Sequence, residues 1–344
     1  MIKDIGIEIR RHEIDDFAID SNCYKNEDDG YAQLGIWANY GMLFVDGLDK
    51  KPIYFMRHCN KEKYRWGGII ELNDNPLGPQ KSLHHKDIAQ GDTITDYYGK
   101  VSDNPLTYGS GSKEPFSEYR FNDEYATWKE GNILDLRADY FPYACVSHKN
   151  SPQKFCFYHQ FVTLSGTYEG KKVVGMGGFD RSYFPTIGNM EDYAAQAMTY
   201  LGAVYSCIRE DGRKESANMC IYDRNGYGYG YYYLEGEQPI VTDEIYLDAT
   251  WYHLPYAKDD PTVCFKDAVW YFGGKEIHFN GKWGAKGYTE KPRLEKVGQS
   301  HVYGTWYEGK QPYKQKIYYT WNENMKATEE EIKRMGWKVE DETI

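Results

Sequence analysis

The sequence predicts an all-β protein made of two barrel or deep-sandwich units, on three observations. Aromatic residues make up 17% of the chain, with 34 Tyr, 14 Phe and 9 Trp, and 34 Gly accompany them. Such residues favour pleated, half-buried surfaces punctuated by turns. Short alternating runs then recur along the chain, while helical periodicity is scarce. Finally, two pairs of segments repeat at a long interval.

In chain order, Gly35–Asp46 alternates and ends in Asp46-Gly47, a hairpin signal. Pro52–Cys59 and Tyr64–Leu72 follow as strands. Asn73–Asp92, with Pro76, Gly78, Pro79 and the His84-His85 pair, reads as a long polar loop. The Gly- and Ser-rich stretch Asn104–Pro115 reads as another. Ile133–Asp139 and Phe155–Leu164 resume the sheet. Phe161–Tyr168 and Lys172–Gly177 then form a strand pair about the tight turn Glu169-Gly170. Met190–Leu201 carries helix formers and early acids, although a strand could equally begin before Leu201. In Asn225–Leu234, glycine alternates with tyrosine, so one face of that strand is glycine and the other tyrosine. Thr328-Glu-Glu-Glu331 is a capping box opening a short helix to about Met335.

The repeat pairs Tyr40–Gly47 with Tyr205–Gly212, each a strand ending in Asp-Gly, at an offset of 165. It also pairs Gly166–Gly170 with Gly304–Gly309, offset by 138 to 139. Two β units result, residues 1–187 and 188–344, with the boundary near Pro185–Asn189. Closing each sheet removes the edges that an aromatic-rich chain would otherwise expose, and a small barrel can hold one ligand.

Composition narrows the function. A net charge of −11, with no basic cluster interleaved with aromatics, argues against nucleic acid as a partner. Met1–His12 has no apolar h-region, and no run approaches a membrane span. Seven scattered cysteines without CxxC spacing favour free thiols in a reducing cytoplasm. Dinucleotide, P-loop, nucleophile-elbow and HExxH motifs are absent, so no cofactor and no metal are called for. The sequence leaves the oligomeric state open.

The most concentrated chemistry follows the second glycine strand, at Gly177-Gly178-Phe179-Asp180-Arg181-Ser182-Tyr183. Asp180 is a candidate acid/base and Arg181 a candidate clamp for a carboxylate or enolate. Neighbours on a strand point to opposite faces, so at most one of the two enters a shared cavity. The alternative is a buried Asp–Arg tie. His159 shares a face with Phe157, Phe161 and Thr163, as a core histidine or a proton-transfer group. A hairpin brings His58 near Trp66.

The run Gly170, Gly175, Gly177, Asp180, Ser182 and Tyr183 resembles a motif of the two-domain lipocalin-like proteins of the hydroxyneurosporene synthase (carotenoid hydratase) and AttH type. The fungal lipocalin-like Diels–Alderases and kievitone hydratase share related architecture. This chain has Asp180 where the group more often has Glu, Arg181 for a frequent His and Tyr183 for Trp. The resemblance implies two lipocalin-like units and a His-bearing strand near the pocket, which draws in His58. The resulting expectation is a cofactor-independent hydratase or isomerase acting on a hydrophobic or polycyclic small molecule. Asp180, His159 and His58 would handle protons, while Arg181, Tyr183, Trp66 and Tyr158 would bind substrate. Two alternatives remain: a small-molecule binder without turnover, and a carbohydrate-active protein, which would need an open cleft with paired carboxylates.

Overall fold

A computed structural model describes residues 6–11, 33–59, 64–66, 69–77, 81–83, 97–100, 106–110, 117–147, 156–184, 200–222, 227–253, 262–286, 299–325 and 327–341. The chain divides into two compact units, Met1–Glu71 with Ser82–Met190, and Leu72–Lys81 with Glu191–Ile344.

The first sheet contains β1 (Ile7–Arg10), β2 (Gln33–Val45), β3 (Ile53–Cys59), β4 (Tyr64–Trp66), β5 (Ile69–Glu71), β6 (Lys81–Leu83), β7 (Tyr97–Lys100), β8 (Leu106–Ser110), β9 (Ser117–Phe121), β10 (Tyr125–Glu130), β11 (Leu134–Ser147), β12 (Cys156–Tyr168) and β13 (Lys171–Phe184). Its order is β6-β5-β3-β2-β13-β12-β11-β10-β9-β8-β7, with β1 on β11 and β4 on β3. The Phe55 ring on β3 lies 4.7 Å from Trp128 on β10, five strand positions away. A flat sheet would separate those strands by about 24 Å, so this one curls around its core. Leu43, Phe55, Trp128, Leu136, Val162 and Phe179 belong to that core.

The second sheet contains β14 (Tyr200–Arg209), β15 (Lys214–Tyr222), β16 (Tyr227–Leu234), β17 (Ile240–Thr242), β18 (Ile245–His253), β19 (Val263–Phe272), β20 (Lys275–Lys286), β21 (Gln299–Glu308), β22 (Gln315–Met325) and β23 (Val339–Glu340). Its order, β17-β16-β15-β14-β22-β21-β20-β19-β18-β23, repeats the plan of the first, in which an early strand pairs with the final hairpin. Thus β14 lies on β22 as β2 lies on β13. This sheet curls as well. A methyl at Gly230 on β16 would lie 2.2 Å from Phe272 on β19. The glycine face of the Gly/Tyr strand therefore receives packing from across the core, and Tyr227, Tyr229, Tyr231 and Tyr233 are buried on its other face. Leu77 joins the second unit's core, and Asn73 and Gly284 exchange backbone hydrogen bonds of 3.0 Å.

The turn residues behave as their chemistry requires. Glu169 and Gly170 both have positive φ, 49° and 75°, as a two-residue hairpin demands. Asp46 and Gly47 do the same at the end of β2. The helix α1 spans Glu329–Arg334, and the Thr328 side chain accepts from the Glu331 amide.

Two loop expectations are corrected. Leu106–Ser110 forms β8 inside the expected loop Asn104–Pro115, because β7 and β9 pair with it on both sides. Within Asn73–Asp92, Lys81–Leu83 forms β6. Tyr200 and Leu201 already belong to β14; the rest of Met190–Leu201, like His84-His85 and Pro185–Asn189, lies outside the described residues.

Candidate functional site

The long hairpin β12–β13 and its neighbour β2 set one transverse row of paired residues. Cys145 pairs with His159, His159 with Asp180, Asp180 with Ala38, and Ala38 with His58. His58 in turn pairs with Trp66 on β4. Directly paired residues in an antiparallel sheet share a face. Long-range register thus aligns four of the residues picked from the sequence, His159, Asp180, His58 and Trp66, although they span more than a hundred positions. The side chains of His58, Trp66 and Tyr183 lie outside the described residues. The Tyr183 backbone pairs with Cys156 and Leu34 beside a register shift.

His159, Asp180 and Tyr40 converge on this face. His159 Nδ1 lies 2.5 Å from Asp180 Oδ1. The Tyr40 hydroxyl donates to the same oxygen at 3.1 Å and stands 2.9 Å from His159 Nδ1. His159 and Tyr40 are fully buried, and the Asp180 side chain keeps 8% of its surface exposed. Phe161 packs its ring 4.3 Å from the imidazole at 78°, and Phe157 lies at 6.2 Å. That is the aromatic face the alternation predicts for His159.

Gly178 makes the cluster possible. A methyl there would fall 2.5 Å from His159 Cε1 and 3.0 Å from the Tyr40 hydroxyl. Glycine in this strand serves close approach rather than turning.

The proton inventory follows from the partners. An ionised carboxylate only accepts, so Asp180 draws the imidazole proton to Nδ1. His159 Nε2 then carries a lone pair. That atom is buried and has no hydrogen-bond partner among the described residues. A buried polar atom normally has one, so Nε2 is the site's open valence.

Arg181 and Tyr158 occupy the opposite, core-side face. They pair with each other across β12 and β13. The Arg181 guanidinium lies 5.5 Å from the Phe121 ring and donates to the Asp180 carbonyl at 2.8 Å. Burial raises the phenol pKa of Tyr140, with Arg181 pulling it the other way. Tyr158 is buried and donates to Gln160 Oε1 at 3.2 Å. Strand alternation therefore separates Asp180 from Arg181 as expected, and places Arg181 and Tyr158 away from the His159 group. Tyr40 was missed as a site residue. Its only local signal is a tyrosine in an alternating strand, and the 119 residues to His159 are closed by register alone.

Among the described residues the thiols supply no activated nucleophile. Cys145, Cys207, Cys220 and Cys264 are buried and form no disulfide. Burial pushes the Cys264 thiol up to about 12, and burial together with Glu215 pushes Cys207 well above its ordinary range.

The fold and this cluster define the class: a two-unit, lipocalin-like β protein whose first unit carries a buried tyrosine–histidine–carboxylate group. No family model matches the sequence, and no curated protein matches it. Among solved structures the chain is similar to a candidate AttH from Nitrosomonas europaea, at 13% identity over 89% of this chain and 95% of that one, with a TM-score of 0.49. It is also similar to kievitone hydratase from Nectria haematococca, at 9% identity over 86% and 90%, with a TM-score of 0.39. CghA with Sch210972 follows at 8% identity over 93% and 98%, with a TM-score of 0.36.

Proposed function

We propose that the protein is a cofactor-independent enzyme of the lyase or isomerase type, moving a proton on a hydrophobic or polycyclic small molecule. One observation carries this reading: the buried His159 Nε2 without a partner among the described residues, on a ring whose other nitrogen is held by Asp180. A carboxylate on Nδ1 fixes the tautomer and stabilises the imidazolium that forms when Nε2 accepts a proton. Tyr40 supports the carboxylate by donating to the same oxygen. In a hydration, His159 would deliver or withdraw the proton while water adds to the double bond. In an isomerisation it would return the proton at a second carbon.

The row geometry supports a ligand lying across the strands. His159 and His58 stand three strand spacings apart in the row, about 14 Å. His58 as a second proton group and Trp66 as a wall are proposed from their backbone positions in this row alone. Asp180's exposed edge supports entry from that side. Arg181, Tyr158 and Tyr183 are not needed for the proton step.

The binding-only alternative draws on a cleft of about 270 Å³ in the second unit, lined by residues that include Ile221, Tyr222, Tyr227, Ile245, Asp243 and Arg334. Among the described residues its lining contains one carboxylate, Asp243, and glycoside hydrolysis needs two.

The test begins with native mass spectrometry of whatever small molecule copurifies with the protein. That molecule is then incubated with fresh enzyme in D₂O and in H₂¹⁸O. Incorporation of solvent deuterium or oxygen supports the proposal. Asp180→Asn and His159→Ala should each slow it by about 10²–10⁴-fold. Turnover unchanged in both variants, or a bound ligand that never exchanges, overturns it.

A further inference from the structure

The second unit repeats the histidine–carboxylate arrangement on its own final hairpin. His301 on β21 pairs directly with Glu323 on β22, as His159 on β12 pairs with Asp180 on β13. Glu323 then pairs with Gly202 on β14, as Asp180 pairs with Ala38 on β2. Gly202 stands ten residues before the Asp-Gly turn at Gly212, and Ala38 nine before Gly47. Both rows point away from their unit's core. Val302, beside His301, belongs to the second core, as Tyr158, beside His159, belongs to the first.

The surroundings are built rather than incidental. His301 is 5% exposed, and its Nε2 has no hydrogen-bond partner among the described residues. Glu323 Oε1 lies 3.5 Å away, too far to satisfy it. The Trp321 and Tyr303 rings stand perpendicular to the imidazole, at 5.7 and 6.4 Å. Gly202 yields its side-chain space to a tyrosine, as Gly178 does in the first unit. A methyl at Gly202 would lie 2.1 Å from the Tyr200 hydroxyl. The Glu323 side chain is 19% exposed, so solvent reaches the acid's side of the pair.

We propose that His301 and Glu323 form a second small-molecule site, which takes the hydroxyl of a phenol-like ligand. One hydroxyl can bridge the two groups. It donates to Glu323 Oε1 and accepts from His301 Nε2–H, and two atoms 3.5 Å apart can both lie within hydrogen-bond reach of a single oxygen. Trp321 and Tyr303 supply apolar contact for the ring that bears it. No bond is made or broken, so the site binds without turnover. It stands independently of the role proposed for His159.

The test is a titration with phenol, and with benzene as the control lacking a hydroxyl, read by ¹H–¹⁵N NMR of the histidine rings. Phenol should shift the His301 ring nitrogens saturably, and benzene should not. Glu323→Gln preserves shape and should weaken phenol binding at least tenfold, while His159→Ala leaves it unchanged. His301→Ala removes the reporting ring, so binding to that variant is read by saturation transfer to phenol, and it should be abolished. If that variant fails to fold, Glu323→Gln alone decides. A His301 ring indifferent to phenol, or a response lost in His159→Ala and kept in Glu323→Gln, overturns the proposal and leaves the pair as a structural tie.

Discussion

Glu215 in the second unit and His159 in the first are both fully buried polar groups, but their surroundings differ in one respect. Glu215 is saturated. Arg209 grips it with two nitrogens at 2.6 and 2.7 Å, and the Tyr232 and Tyr313 hydroxyls each donate at 2.6 Å. The Cys207 thiol adds a contact at 3.3 Å. His159 has one nitrogen held and the other without a partner among the described residues. A saturated buried charge offers nothing to a ligand and holds the fold, whereas an unsaturated one must be repaid by something that enters. The contrast supports a structural role for Glu215 and fits the proton-transfer role proposed for His159, although both clusters combine an acid with tyrosine.

The sharpest way to break this contrast is to truncate Glu215. Glu215→Ala leaves the half-buried Arg209 guanidinium and the Tyr232 and Tyr313 hydroxyls without their shared acceptor, and should cost about 3 kcal/mol of unfolding free energy in denaturant titrations. Glu215→Gln should cost less. A loss below about 1 kcal/mol in Glu215→Ala would mean the network is not what holds that end of the unit.

Gly178→Ala comes next. The added methyl presses on His159 Cε1 and the Tyr40 hydroxyl, so the ring must move. We expect about 1–3 kcal/mol of destabilisation, with a loss of turnover larger than that of stability. Equal losses would make Gly178 a packing residue only.

The mildest effect is alkaline. Burial pushes the Tyr318 phenol up to about 12 from its ordinary 10.0. Tyr205, Tyr232 and Tyr313 are raised as well, chiefly by burial. The unfolded chain then loses these protons first. Their stabilising contribution is complete below about pH 10 and falls as the pH rises through 12. Denaturant midpoints should fall progressively across that window, and Tyr318→Phe should fall less steeply. A flat profile would contradict the buried, neutral phenols.

Much of the fold was legible because period-two alternation and turn chemistry are local. Glu169-Gly170, Asp46-Gly47 and the Thr328 capping box each specify their own geometry within a few residues. The faces of His159, Asp180 and Arg181 followed from alternation alone. The Gly- and Ser-rich β8 read as a loop because its strand character comes from its neighbours on the sheet. Tyr40 was invisible for the same reason, since its partner is chosen by the pairing of β2 with β13. Neither could a local pattern reveal that His301 and Glu323 would be paired across a hairpin.

The central claim is that His159 Nε2 stands open on a ring pinned by Asp180. Long-range ¹H–¹⁵N NMR of the His159 ring tests it directly, in the wild-type protein and in Asp180→Asn. The account predicts a proton on Nδ1 and an unprotonated Nε2 in the wild type, with that preference lost in Asp180→Asn. A wild-type ring carrying its proton on Nε2, with Nδ1 bare, would contradict it.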